Sequence, residues 1–171
     1  MKSMTDLVND FKAAKDAMKR VQENIPRIIG NEAVKVIKDN FRLQGYDTGT
    51  GVSPWKQRSQ ATITRYDKRS GVKGSVYQSS NQLLKQTGNL YGAIQYKVQG
   101  KAVFVGVDLG VVPYAQKMND GGPGKWGKNA TKTPARKYMP AGNEPPNAKM
   151  LNAFIKKLNY ERDKALANFK R

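Results

Sequence analysis

The 171-residue chain is of single-domain length, with 38% hydrophobic and 26% charged residues. Thirty-one Lys and Arg against 13 Asp and Glu give a net charge of +18, and there is neither a cysteine nor a histidine. Those two absences exclude disulfides, zinc and haem sites of the usual kinds, cysteine nucleophiles and every mechanism built on a histidine base. The composition leans toward a binding or structural protein without a cofactor or metal.

Met1-Lys2-Ser3-Met4-Thr5-Asp6 carries no apolar leader core, so no signal peptide is expected. The densest apolar stretch, Val103-Phe104-Val105-Gly106-Val107, is far too short to span a bilayer. The expectation is a soluble chain made in a cytoplasm, with no membrane partner. The first element is a helix: Leu7, Phe11, Ala14, Met18, Val21 and Ile25 lie on one stripe, with Ser3 or Thr5 as cap and Asp6 and Asp10 near the positive end of the dipole. The spacing also suits a coiled-coil seam, but its short length favours packing on the chain's own domain. Pro26 interrupts the pattern and fits the first turn of a second helix to about Arg42, with Ile29, Ala33, Val36 or Ile37, and Phe41 facing inward. A helix pair and one kinked helix both fit.

Gly45 to Pro54 reads as a glycine-rich loop, followed by Trp55. From Lys56 to Ser79 the chain is polar and basic, a long loop with room for a short helix near Ser59–Tyr66. Leu83, Leu84 and Leu90 are apolar anchors around the Thr87-Gly88 turn. Ile94, Tyr96 and Val98 alternate, Gln99-Gly100-Lys101 turns, and Val103, Val105 and Val107 alternate again, which predicts a β-hairpin. Pro113–Met118 suggests a helical turn. Asp120–Ala135 reads as a second glycine-rich loop, and Arg136–Pro140 as a short strand closing on the hairpin. After Pro145-Pro146-Asn147 comes a final helix, with Leu151, Phe154 or Ile155, Leu158, Ala165 or Leu166, and Phe169 on its apolar face and Tyr160 at the margin.

The expected architecture is α+β: N-terminal helices over 1–44, a core over 45–140 built on a small antiparallel sheet with a central hairpin, and a C-terminal amphipathic helix over 141–171 packed on it as one domain. Two long basic loops complete it. The N-terminal quarter nearly balances its charge, with nine basic residues against Asp6, Asp10, Asp16, Glu23, Glu32 and Asp39. Lys56 to Lys85 holds seven basic residues and one acid, and Lys117 to Lys137 holds six and one. Such segments suit either nucleic-acid phosphates or acidic partner surfaces. Candidate interface residues are Trp55, Lys56, Arg58, Arg65, Lys68, Arg69, Lys125, Trp126, Lys128 and Arg136.

Three motifs invite catalytic readings and fail. Asp47-Thr48-Gly49 matches the aspartic protease triplet, but that chemistry needs two carboxylates sharing a proton, and no apolar strand leads in. Gly122–Lys128 approaches a phosphate-binding loop, but Asn129 stands where Ser or Thr would hold magnesium, and Pro134 follows where a helix belongs. Asn129-Ala130-Thr131 has the form of a glycosylation sequon, which has no meaning without secretion. Trp55, Tyr66, Tyr77 and Trp126 lie among basic residues and would stack on bases in a single-strand binder. Core packing of Trp55 and loop anchoring by Trp126 are the simpler reading.

The order of segments resembles a known family. Gly49-Thr50-Gly51-Val52-Ser53-Pro54-Trp55-Lys56 comes first, then Leu83-Leu84-Lys85-Gln86-Thr87-Gly88-Asn89-Leu90-Tyr91-Gly92-Ala93-Ile94. Val103-Phe104-Val105-Gly106-Val107, Pro113-Tyr114-Ala115-Gln116 and Thr133-Pro134-Ala135-Arg136-Lys137-Tyr138-Met139 follow. Together they resemble the phage virion morphogenesis family, tail completion proteins of contractile-tailed phages related to phage Mu. Lys117-Met118-Asn119 stands where that family usually has His and Gly after Tyr-Ala. The resemblance implies Leu84, Thr87, Gly88, Leu90, Gly106, Tyr114, Ala115 and Arg136 as structural motif positions. It also implies a non-enzymatic subunit, often in a ring, that completes or terminates the tail or connects it to the head. Its partners would be copies of itself and other neck or tail proteins. Transient DNA contact is compatible, and a basic DNA-binding protein is the alternative.

Overall fold

The structure, a computed structural model, describes residues 3–58, 64, 68, 83–84, 88–122, 133–142 and 144–169. The fold is α+β, with one long N-terminal helix, two small antiparallel sheets and a C-terminal helix. Helix α1 spans Met4–Leu43 without a break. Ser3 caps it: its hydroxyl accepts the Asp6 N–H at 3.1 Å, and Asp6 accepts the Ser3 N–H in return at 3.0 Å. Pro26 lies inside α1 rather than starting a second helix. Proline withholds one N–H, from the carbonyl of Gln22, and the rest of the helix ladder carries through.

The C-terminal half of α1 is the spine of the core. Ala33, Val36, Ile37 and Phe41 are buried there, with Ile29 partly so, on the face that the helical spacing predicts. Phe41, at 0% exposure, meets Trp55, Tyr91 and Tyr138 with ring centroids 5.2–5.6 Å apart. Edge-on and tilted geometries of this kind add specific attraction to the burial of apolar area.

The stretch read as a glycine-rich loop is instead a small hairpin. Strands β1 (Gly45–Asp47) and β2 (Val52–Pro54) pair antiparallel, Gly45 opposite Pro54 and Asp47 opposite Val52. Three-residue strands show no hydrophobic alternation, which is why the sequence pattern conceals them. Hydrogen bonding at the turn holds them: Thr48 N–H donates to Gly51 O at 3.0 Å, and the Gly49 N–H to Asp47 Oδ1 at 2.9 Å.

A one-turn helix α2 (Asn89–Gly92) leads into β3 (Ile94–Gln99) and β4 (Ala102–Val107), the predicted hairpin. The alternating residues pair with one another, Ile94 with Val107, Tyr96 with Val105 and Val98 with Val103, so one face is apolar and lies toward α1. Gly100, with φ 60°, makes the turn. Gly30 on α1 admits the Tyr96 ring, since a Cβ there would lie 2.2 Å from Tyr96 Cδ2.

Helix α3 (Ala115–Asp120) follows a turn at Pro113-Tyr114, two residues later than the sequence suggests. Helix α4 (Ala148–Leu166), capped by Asn147 Oδ1 on the Met150 N–H at 3.0 Å, ends in a 3-10 turn, Ala167–Phe169. Its Lys149 meets Asp47 beyond the end of α1, and its Lys157 meets the field of Glu32, so α4 runs back along α1. The buried face is Met150 and Phe154, with Ala153 beside them. Leu151 and Ile155, expected there as anchor and alternative, are exposed. One cluster joins α1, Trp55, Leu83, Leu90, Ile94, Val112, Ala115, Tyr138 and α4, so the arm, core and tail segments share a single core.

Candidate assembly interface

The site is built from the end of α1 outward. Gln44, left-handed with φ 53°, turns the chain out of the helix. Its carbonyl accepts the Trp55 N–H at 2.9 Å, and its side-chain oxygen accepts the Leu83 N–H at 2.5 Å. Both ends of the predicted first loop are thereby fixed at one residue. Within that loop Thr64 and Lys68 have helical backbone and are exposed. The rest of the predicted 59–66 helix, with Arg65 and Arg69, lies outside the described residues. So do Thr87, Lys125, Trp126 and Lys128, and the phosphate-loop and sequon positions from 123 to 131.

Trp55, named among the interface candidates, takes the simpler reading of core packing instead. It is 4% exposed, edge-on to Phe41 at 5.4 Å, and its indole N–H donates to the Lys137 carbonyl at 2.7 Å. A side chain closed over in this way anchors the surface and does not present itself to a neighbour. The next residue, Lys56, is exposed, and its carbonyl accepts from Arg136 Nε at 3.2 Å. Arg136 is half-buried at this seam, and Arg58, two residues beyond Lys56, is half-buried as well. Residues 55–56 and 136–137, some 80 positions apart, thus run side by side. The second predicted loop closes nearby: Gly122 and Thr133 exchange backbone bonds of 3.1 and 2.8 Å. The described ends of the two basic segments therefore meet on one face.

Residues 136–140 are not the strand expected to close on the hairpin; they are irregular backbone held by two asparagines. Asn40, fully buried, donates to the Tyr138 carbonyl at 2.9 Å and accepts the Asp47 N–H at 3.0 Å. Asn119 Oδ1 accepts from Tyr138 N at 2.9 Å and Met139 N at 3.2 Å. A strand needs a ladder of partners; here side-chain amides satisfy the backbone instead. The Tyr138 hydroxyl donates to the Ala115 carbonyl at 3.1 Å, and burial pushes its pKa up to about 12. Asn40, Asn119 and Gln44 all escape a search for charge and periodicity, and Lys137 enters here through its carbonyl rather than its charge. The one signal for Asn40 is its place on the apolar face of α1, between Ile37 and Phe41.

The motif positions suggested by the family resemblance divide. Leu90 and Ala115 are buried, Leu84 packs against the core with φ 62°, and Gly88, with φ 77°, caps α2. Tyr114 is largely exposed, and Gly106 has open space where a Cβ would stand.

The chemistry available here is electrostatic. Asp47 of the protease-like triplet is committed to structure: the Gly49 N–H and the Lys149 ammonium at 3.1 Å hold its carboxyl below the usual range, against the opposing effect of burial. Glu144 is lowered by its bond to Lys137 and by the Ala141 N–H. Between α1 and α4 lies an open groove of about 630 Å³, lined by Glu32, which pairs with Lys35, by Lys157, which pairs with Glu161 at its margin, and by Asp39, Lys149 and Lys156. Among the described residues no three His, Cys, Asp or Glu side chains gather to hold a metal ion, and no helix is long and apolar enough to cross a membrane.

Fold and site together define a small α+β scaffold presenting a basic surface. No family model, curated protein or solved structure matches the chain.

Proposed function

We propose that the chain is a non-enzymatic structural subunit in phage virion assembly, acting at the head-tail neck or the head-proximal tail end as a tail completion, terminator or connector protein. In this reading it is made in the host cytoplasm and resides in the virion as a homo-oligomer. Its partners are copies of itself and other phage neck, tail-tube or terminator proteins. The observation that supports it most directly is the Lys56–Arg136 seam, where the described ends of both basic segments are fixed to one rigid core. A ring subunit needs two different complementary faces, and a fixed basic face suits an acidic neighbour. The order of sequence segments points the same way.

The test is genetic. In a phage or prophage encoding the chain, its deletion is expected to stop production of infectious particles. The wild-type chain restores them, and the exposed-residue variant Lys56→Glu with Lys68→Glu restores them poorly. Intact, infectious particles at normal yield without the gene overturn the proposal. The +18 charge favours a second reading, a basic DNA-binding protein. That reading expects a gel shift at low salt that weakens steeply as salt rises.

A further inference from the structure

The continuous helix α1 extends past its own domain. Lys157 of α4 lies in the field of Glu32, and Phe169 is twelve residues further on. At helical rise α4 therefore reaches only to about residue 20 of α1, leaving about 24 Å of helix beyond it. On this overhang the apolar stripe is exposed: Met4, Leu7, Val8, Phe11 and Met18, with Phe11 at 75%. Because Pro26 does not break the helix, the stripe follows one heptad frame, with Met4, Phe11 and Met18 at a and Leu7 and Ala14 at d. Val8, at e, widens it.

Charge identifies what covers it. Residues 3–28 carry Asp6, Asp10, Asp16 and Glu23 against Lys12, Lys15, Lys19, Arg20 and Arg27, so this arm is nearly neutral in a chain of net charge +18. Copies can approach here without the repulsion that the strongly basic segments impose. In the same frame Asp10 is a g position and Lys15 the following e position. In a parallel pair each g residue faces the e residue five positions on in the partner, so Asp10 meets Lys15 twice, once on each side of the seam. An antiparallel pair sets g against g and e against e, and never brings these two together.

We propose that α1 residues 4–18 pair in parallel with the same residues of a second copy, as a short two-stranded coiled coil. The pairing does not depend on the phage reading. It is weak and concentration-dependent, because only about two heptads take part. It tightens wherever copies are held at high local concentration.

Sedimentation of the full chain over a concentration series up to millimolar is expected to show reversible dimerisation. Phe11→Asp, at an exposed position, weakens it roughly tenfold or more. Asp10→Lys also weakens it, and Asp10→Lys with Lys15→Asp restores it. The natural chain has no cysteine, so Leu7→Cys and Ala14→Cys report singly, and each is expected to cross-link to itself on oxidation. A chain that stays monomeric throughout overturns the proposal, as does a dimer indifferent to Phe11→Asp. Cross-linking at only one of the two positions overturns the parallel arrangement.

Discussion

Gln44 holds Leu83 across 39 positions of sequence, its side-chain oxygen accepting the Leu83 N–H at 2.5 Å and its amide reaching the Leu83 carbonyl at 3.4 Å. The same residue carries the Trp55 N–H on its backbone carbonyl. Gln44→Ala strands the Leu83 N–H beside a buried leucine and is expected to cost about 1–3 kcal/mol. Gln44→Gly loses the same bonds but relieves the left-handed backbone, so it is expected to be roughly 1 kcal/mol less damaging than Ala. Urea unfolding of the three proteins measures both differences. Equal stability of wild type and Gln44→Ala would show that this residue does not close the loop.

Gly30 is the only place on α1 where the helix surface is cut away for the hairpin. A methyl there gains about 1 kcal/mol in helix propensity, but it enters the Tyr96 ring at 2.2 Å from Cδ2 and 2.5 Å from Cγ. The Cγ atom is the root of the ring, so the side chain cannot swing its tip aside. Overpacking costs of about 1–3 kcal/mol exceed the propensity gain, and Gly30→Ala is expected to be net destabilising. Gly30→Ala combined with Tyr96→Ala removes the clash and is expected to recover the propensity term. A thermal melt in which Gly30→Ala alone is more stable than wild type contradicts this.

Tyr138 gives the alkaline limb of stability a specific source. Its folded pKa, raised from 10.0 to about 12 by burial, exceeds that of the unfolded chain. The folded state therefore keeps a proton that the unfolded state loses. The stability contributed is complete below pH 10 and declines as pH rises toward 12. Tyr138→Phe removes the hydroxyl bond to Ala115, costing about 1 kcal/mol at neutral pH. It also flattens the fall in stability over that window. Parallel slopes for the two proteins between these pH values would exclude Tyr138 as the source.

What the sequence made legible follows from what burial does to pattern. The α1 face at Ala33, Ile37 and Phe41 and the pairing of Tyr96 with Val105 are period-3.6 and period-2 signals, and hydrophobic burial writes both directly into residue choice. The exposure of Leu7 and Phe11 was not legible, because an apolar stripe does not say whether its own domain reaches far enough to cover it. The β1–β2 hairpin and the path of residues 136–140 depend on Asp47, Asn40 and Asn119, single polar side chains bonding to backbone, Asp47 within its own turn and the asparagines further off. Such bonds leave no periodic trace. Of the expected interface, Lys56 and Arg136 come together beside Trp55, which is locked into the core.

Asp47 links that hairpin to α4 and sets a limit at low pH. Its carboxylate takes the Gly49 N–H and the Lys149 ammonium, while its carbonyl takes the Asn147 side-chain N–H at 2.9 Å. Its folded pKa lies below the ordinary aspartate value of 3.8. The unfolded chain therefore takes up the proton first as pH falls. The stability Asp47 contributes is present above the unfolded value and is lost as pH drops through the folded one. Because Lys149 is partly solvated, Asp47→Asn is expected to cost only about 1 kcal/mol at neutral pH. That deficit should shrink as the wild-type carboxylate protonates. Asp47→Asn tests this without removing the side chain that shapes the turn. A deficit that stays constant from neutral pH to below the unfolded pKa would mean that the turn depends on shape alone and that the charge on Asp47 contributes nothing to it.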